Sequence, residues 1–383
     1  MNDALALYVH WPFCKAKCPY CDFNSHVREA VDQDRWRTAL LSELDHALDG
    51  LEGRRLTSIF FGGGTPSLMP PETAGAVISR AIARAAPDPD IEITLEANPT
   101  SVEADRFRAY RDAGVNRVSL GVQSFNPDAL AFLGREHSAE DAIRAIELAR
   151  DVFPRISFDL IYARPGQTAA AWAAELERAV ELTADHLSLY QLTIEAGTRF
   201  FTRARQGECM TADEETGATL YEATQERLDS LGLGAYEVSN HARPGAESRH
   251  NLAYWRYQDY VGIGPGAHGR VTVDGVKWAT VRERLPERWL DRVGRDGHGL
   301  NDSVPVDRDQ QFQEILMMGL RLQEGVQEQK LRDATGQGFE SIPPDRFKDL
   351  VEAGYVTLSD GTLRTTMAGR IRLNALLDHL LNA

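Results

Sequence analysis

HWPFCKAKCPYCDFN, residues 10–24, puts Cys14, Cys18 and Cys21 within eight positions, three of the four cysteines in a chain of 383 residues. Thiolates packed this closely, in a chain with no disulfide framework, ask for a soft metal, and three of them leave a fourth coordination position free. The spacing would also set all three sulfurs on one face of a helix as core packing, but Pro19 falls between the second and third cysteine and Pro12 precedes the first. A proline there breaks the helix that core packing needs. Zinc is the stronger rival, with His10 or His26 completing a Cys3His site, although structural zinc usually takes its ligands as two separated pairs. An iron-sulfur cluster with one iron not held by the protein fits the triplet best.

Outward from this segment, short β-rich runs alternate with helical patterns, the signature of a parallel sheet with crossover helices. Strands are expected over residues 4–9, 56–61, 91–96, 116–122, 155–161 and 186–191. Helices are expected in DQDRWRTALLSELDHALDG, PETAGAVISRAIARAA, SVEADRFRAYRDAG, AEDAIRAIELARDV and AAAWAAELERAVELT. The unusual residues all lie at carboxyl ends of strands: the cysteine loop follows the first and Gly62-Gly63-Gly64-Thr65-Pro66 the second, Glu96-Ala97-Asn98-Pro99 closes the third, and Gln123 and Asp159 mark the fourth and fifth. Carboxyl ends of parallel strands are where ligands bind in such folds, so five segments should converge on one pocket.

After about residue 193 the alternation fades into a region read as closing the pocket, with a helix in ADEETGATLYEATQERLDSLG and the segment YEVSNHARPGAESRHNLAYWRYQDYVGIGPGAHGR. Residues 305–383 read as helices plus a hairpin at Asp360-Gly361, a small helical, winged-helix-like domain with more acidic than basic side chains. The expected division is 1–304 and 305–383. A formal net charge of −15 repels phosphate backbones and argues against nucleic acid as a partner. The N-terminal MNDALALYVHW carries no basic leader or long apolar run, and no later stretch approaches a membrane span, which predicts a cytoplasmic protein with reduced thiols. Cys209, alone in a polar stretch, reads as an incidental thiol.

With these motifs in place, the chain resembles the radical S-adenosylmethionine (SAM) superfamily, in the group containing oxygen-independent coproporphyrinogen III oxidase and the haem chaperones of the HemW type. The likeness covers nearly the whole chain and implies an α/β fold, a partial (β/α)6 radical SAM barrel. It implies that Cys14, Cys18 and Cys21 hold a 4Fe-4S cluster whose fourth iron is chelated by SAM, and that an electron from the cluster cleaves SAM to give a 5′-deoxyadenosyl radical. By the same resemblance the SAM pocket comprises Tyr8, Tyr20, Gly63, Gly64, Thr65, Glu96, Gln123, Arg135 and Asp159. Each suits its task chemically. Glycines let backbone groups approach the ligand, and no Gly-Lys-Ser/Thr follows to make a phosphate loop. Glu96 and Asp159 supply acceptors, and Arg135 a forked donor for a carboxylate.

Two departures separate the members of this group. Where the oxidase has a further cysteine one residue past its third, this chain has Cys21-Asp22-Phe23, and only thirteen residues precede Cys14 where the oxidase has a longer extension. Both favour the chaperones, as does His250-Asn251-Leu252-Ala253-Tyr254-Trp255, which matches their HNxxYW haem motif. The resemblance makes His250 the expected iron ligand, neutral at cytoplasmic pH as haem iron requires, with Tyr254 and Trp255 offering flat apolar surface. His241 and His268 remain competing ligands. The implied partners are haem, haem-acceptor proteins, an electron donor such as a flavodoxin or ferredoxin, and a second copy of the chain. The alternative function is oxidative decarboxylation of coproporphyrinogen III to protoporphyrinogen IX.

Overall fold

The computed structural model describes residues 3–381. All six expected strands are present. In chain order they are β1 (Ala4–Trp11), then, after a short pair β2 (Phe13–Cys14) and β3 (His26–Val27), β4 (Arg55–Gly63), β5 (Ala86–Ala97), β6 (Arg117–Gln123), β7 (Arg155–Tyr162) and β8 (His186–Gln191). β1 and β4 to β8 lie side by side in sequence order, each pair parallel. Crossovers are made by α1 (Gln33–Leu48), α2 (Pro71–Arg84), the short α3 (Ser101–Ala104) and α4 (Phe107–Asp112), α5 (Pro127–Phe132) with α6 (Ala139–Val152), and α7 (Ala169–Leu182). Side-chain caps start three of them: Asp32 accepts from Arg35 N, Thr168 from Ala171 N, and Ser138 with Asp141 forms a reciprocal capping box. The run 101–114, expected as one helix, is two. Glu103 is drawn inward to accept from Asn98 N at 2.8 Å, which ties α3 to the end of β5.

The sheet does not close. Beyond β8 runs the antiparallel β9 (Asn240–Ala242), and on the other side of β1 come a parallel β10 (Asp259–Ile263) and an antiparallel meander of β11 (His268–Val273), β12 (Val276–Arg282) and β13 (Leu300–Pro305), giving eleven strands in an open array. Residues 259–305 thus supply four strands that the sequence pattern does not single out. Between β8 and β13 lie α8 (Arg199–Arg205), α9 (Glu214–Ser230), α10 (Arg249–Trp255) and α11 (Pro286–Asp296). From α12 (Arg308–Gly319) onward, helices surround a three-stranded sheet with its own core of Phe312, Leu316, Leu331, Leu350, Leu363 and Leu376. The predicted hairpin is there: Ser359 pairs with Thr362, and Asp360 and Gly361 both take positive φ, as a two-residue turn demands.

The two faces of the parallel strands differ in kind. Leu5, Leu7, Val9 and Trp11 point outward into the helices, where each fully buried leucine contributes about 2 kcal/mol. The inward face carries Glu92, Arg117, Ser157, His186 and Ser188, all buried. Arg117 donates to Ser157 Oγ at 2.9 Å, Ser157 to Ser119 at 2.9 Å, and Arg155 to Glu92 at 2.6 Å. Closed β/α barrels fill this space with branched apolar side chains; here it is a hydrogen-bonded polar column.

One buried carboxylate fastens the added strands. Glu43 on α1 accepts from Gly264 N at 2.6 Å, Gly299 N at 2.7 Å and Trp289 Nε1 at 2.9 Å, with Arg282 at 3.7 Å. Burial raises its pKa against these donors. Glu43→Ala should cost about 3 kcal/mol, because it leaves Arg282 and three N–H groups without their acceptor. Chemical denaturation checks this, with a lowered midpoint as the expected outcome.

Candidate functional site

The cysteine loop is held over the carboxyl ends of the strands by backbone bonds rather than by its own regular structure. His26 N donates to Pro12 O at 2.7 Å, closing the loop at its base, and Cys21 N donates to Cys18 O at 3.2 Å within it. Trp11, Phe13, Trp36 and Trp289 pack their rings below this base, with Phe13 and Trp36 edge to face at 4.9 Å. The glycine turn after β4 runs alongside: Gly64 N donates to Trp11 O at 2.7 Å and Thr65 N to Phe13 O at 2.8 Å. A Cβ on Gly64 would lie 2.7 Å from Phe13 O, and one on Gly63, whose φ is +112°, would lie 2.5 Å from the His10 ring. Only glycine permits this approach. Cys14, Cys18 and Cys21 are all free and half-buried, and Cys209 is free and exposed. Burial pushes the Cys14 and Cys21 thiols up.

The histidines of the zinc alternative are engaged elsewhere. His10 is buried, with one ring nitrogen 3.0 Å from Tyr8 Oη and the other 2.9 Å from Asn24 O, and burial lowers its pKa to about 4. His26 is bonded to Asn24 Oδ1 at 3.2 Å. Among the described residues no three His, Cys, Asp or Glu side chains converge on one point suited to a single ion. A cubane differs from such an ion in taking one thiolate on each of three irons.

Around the loop the strand ends enclose a cavity of about 390 Å³. Of the residues expected in the SAM pocket, Tyr20, Gly63, Gly64, Thr65, Glu96, Gln123, Arg135 and Asp159 line it together with the three cysteines. Tyr8 does not; it lies beneath, against Gly62 and stacked on Phe60 at 6.4 Å. His250 is at the other end of the barrel. It is 1% exposed, with Nδ1 2.9 Å from Ser58 Oγ and Nε2 2.9 Å from Tyr254 Oη, and its ring stacks on Phe60 at 4.9 Å. Burial lowers its pKa to about 3. Glu92 anchors the start of α10 there, accepting from His250 N and Ser248 Oγ, each at 3.3 Å. His241 is also buried, bonded to Gln225 at 3.0 Å, whereas His268 is exposed on β11. Asn98, to which the sequence motifs assign no task, lines the cavity and contacts both Thr65 and Arg135.

The cavity's donor set fits a cluster with an amino-acid-bearing ligand. Two buried polar atoms, Gln123 Oε1 and Arg135 Nε, have no partner within the protein. Gln123 sits at φ +68° beside a register shift between Leu120 and Gln123, a conformation non-glycine residues rarely take and one that collects at binding sites. Thr65 donates to Cys14 Sγ at 3.4 Å and Arg135 to Cys18 Sγ at 3.3 Å, the support that metal thiolates require. Glu96 is pushed up to about 8, first by burial and then by the charge of Asp159, against a bond from Gly63 N–H. Asp159 is pushed up to about 6, chiefly by burial. A folded-state carboxyl with a raised pKa keeps a proton that the unfolded chain has released, so stability falls as pH rises from the usual carboxylate range toward 8. Glu96→Gln should therefore raise the melting temperature of the cofactor-free protein at pH 8 and change it little at pH 5, as followed by thermal denaturation.

Comparison with known proteins agrees with this geometry. The Radical SAM superfamily pattern matches residues 8–179, and the HemN C-terminal domain matches residues 306–372. The mitochondrial radical S-adenosyl methionine domain-containing protein 1 of Bos taurus is 41% identical over 100% of this chain and 88% of its own length. The heme chaperone HemW of Escherichia coli is 38% identical over 98% of this chain and 97% of its own, and that of Bacillus subtilis 33% identical over 95% and 96%. Coproporphyrinogen III oxidase (HemN) from Escherichia coli superposes with a TM-score of 0.82 over 99% of this chain and 90% of that one; at 22% identity this speaks to the fold alone. Family membership implies a 4Fe-4S cluster and SAM, for which the cavity has the thiols, the glycine turn and the unpartnered polar atoms. The chain belongs to the radical SAM superfamily, within the full-length group that includes the HemW heme chaperones.

Proposed function

We propose that this protein is a haem chaperone, binding haem and delivering it to acceptor proteins while carrying a SAM-binding 4Fe-4S cluster. The observation that carries this reading is identity of 33% to 38% along nearly the whole chain to proteins named as heme chaperones. Phe23, where the oxidase has its further cysteine, is 58% exposed at the cavity mouth and offers no thiol for the oxidase reaction.

In this reading Cys14, Cys18 and Cys21 hold three irons. Gly63, Gly64, Thr65, Gln123 and Arg135 take the amino-acid end of SAM, and Glu96 and Asp159 accept from its hydroxyl or amino groups. Bound there, the cluster and SAM supply one-electron reductive cleavage of the sulfonium. Residues 1–304 carry this site, and residues 305–383 pack against it or meet a partner. A small one-electron carrier such as a flavodoxin or ferredoxin supplies the electron, and the chain works as a homodimer. No helix among the described residues is long and apolar enough to cross a membrane; the cytoplasm is the proposed location, although related proteins are named as mitochondrial.

His250 is the proposed haem ligand, and its hydrogen bonds mean that ligation has to release α10 from the barrel floor. Losing the Ser58 bond weakens that closed arrangement by about 1 kcal/mol, so Ser58→Ala should raise haem affinity about fivefold. Unchanged affinity in Ser58→Ala, with loss of binding in His268→Ala, would transfer the role to His268. Cys18→Ser should abolish the cluster's absorption and leave haem binding intact. Side-by-side anaerobic titration with haem and with coproporphyrinogen tests the function itself: tight haem binding without turnover is expected, and vinyl-bearing product over many turnovers would establish the oxidase instead.

A further inference from the structure

Asn98 stands between two hydrogen bonds that end on sulfur. Its Oδ1 accepts from Arg135 Nη2 at 2.5 Å, and the Arg135 Nη1 donates to Cys18 Sγ at 3.3 Å. Its Nδ2 donates to Thr65 Oγ1 at 3.3 Å, and Thr65 donates to Cys14 Sγ at 3.4 Å. The orientation of the carboxamide follows from its neighbours. A guanidinium only donates, so the atom facing Arg135 is the oxygen and the nitrogen must face Thr65. A threonine hydroxyl has one proton. Because Asn98 supplies the hydrogen between these two residues, the hydroxyl's own proton is left for Cys14.

The carboxamide is itself fixed from behind. Asn98 N donates to Glu103 Oε2 at 2.8 Å and Nδ2 reaches Glu103 Oε1 at 3.5 Å. Glu103 is buried, and also accepts from the hydroxyls of Ser67 and Thr100. Arg135 is further placed by donating to Gly121 O at 2.9 Å. Two of the three cysteines thus receive donors whose direction depends on one side chain.

We infer that Asn98 is a positioning residue that aims Thr65 and Arg135 at the Cys14 and Cys18 sulfurs and thereby raises the electron affinity of the cluster they hold. The inference rests on the proposal that these cysteines ligate the cluster. Hydrogen bonds to cluster sulfurs stabilise the more negative, reduced state, so weakening them makes reduction harder. Asn98→Asp keeps the shape and the Arg135 partner but offers only acceptors. The Thr65 proton then turns toward residue 98 and leaves Cys14.

The test is an EPR-monitored redox titration of anaerobically reconstituted full-length protein without SAM, at matched iron content. Asn98→Asp, Asn98→Ala and Thr65→Val should each shift the midpoint potential to more negative values. Asn98→Ala combined with Thr65→Val should shift it by less than the sum of the two, because Asn98 acts partly through Thr65. Potentials for both Asn98 variants coinciding with the parent, or an additive double variant, would overturn the inference while leaving cluster ligation standing. Failure of the parent protein to assemble any cluster, seen in its absorption and iron content before variants are compared, would overturn the cluster reading and this inference with it.

Discussion

The close seam between the cysteine loop and the glycine turn is the constraint on which the site depends. A loop of eleven residues between the paired β2 and β3 has little regular structure to hold it. Its position comes from Gly64 and Thr65 donating to Trp11 and Phe13. Those bonds require backbone to meet backbone with no Cβ between, which is why the turn must be glycine where it faces His10 and Phe13. The seam sets the sulfurs, Thr65 and the strand ends on one cavity wall. From the other side, Phe200 N donates to Pro19 O at 3.0 Å, and Gly134 leaves room for the Pro19 ring.

The polar inner face follows from the same arrangement. A barrel whose carboxyl end receives a charged ligand cannot be sealed by a fully apolar core just beneath it without stranding Glu96 and Asp159 in a medium that opposes their charge. The hydroxyls of Ser188 and Ser119 and the guanidinium of Arg117 occupy that space and moderate the burial of Asp159, with Ser157 bonded to both Arg117 and Ser119. The apolar work of folding is done on the outer face, where the strands meet the helices. Stability and ligand chemistry are therefore divided between the two faces of the same strands.

This division explains what the sequence disclosed. Alternating strands and helices and the Asp360-Gly361 turn are local signals, and each recurs in the structure near its expected place. Eleven of the proposed ligand-holding residues meet in one cavity because parallel topology gathers the motifs at strand ends, with the cysteine loop and Arg135 brought to them by the glycine seam and the connection between α5 and α6. What escaped was relational. The strands at 259–305 depend on pairing with β1 and on Glu43, more than two hundred residues away in sequence. The positioning role inferred for Asn98 lies in the direction of its amide, and no composition or spacing carries that. The burial of His250 was equally hidden, since an HNLAYW run reads the same whether its imidazole is sequestered or free.

The placement of His250 bears on what haem is to this protein. Its ring bonds to Ser58, five residues along β4 from Gly63, a separation of about 16 Å at the usual strand rise. Between the two stand the rings of Phe60 and Tyr8, 4.9 and 6.3 Å from that of His250. A radical generated at the cavity reacts only with a group in contact with it. With His250 as ligand, the rings of Tyr8 and Phe60 would stand between the haem iron and that cavity, an arrangement that suits haem as cargo rather than as the substrate of that chemistry. The Glu92 clamp on α10 then becomes the element that decides whether the imidazole is presented, and it lies on the same polar column that ends at Asp159. With His250 as the ligand, haem at one end and SAM at the other would share that column without sharing a pocket.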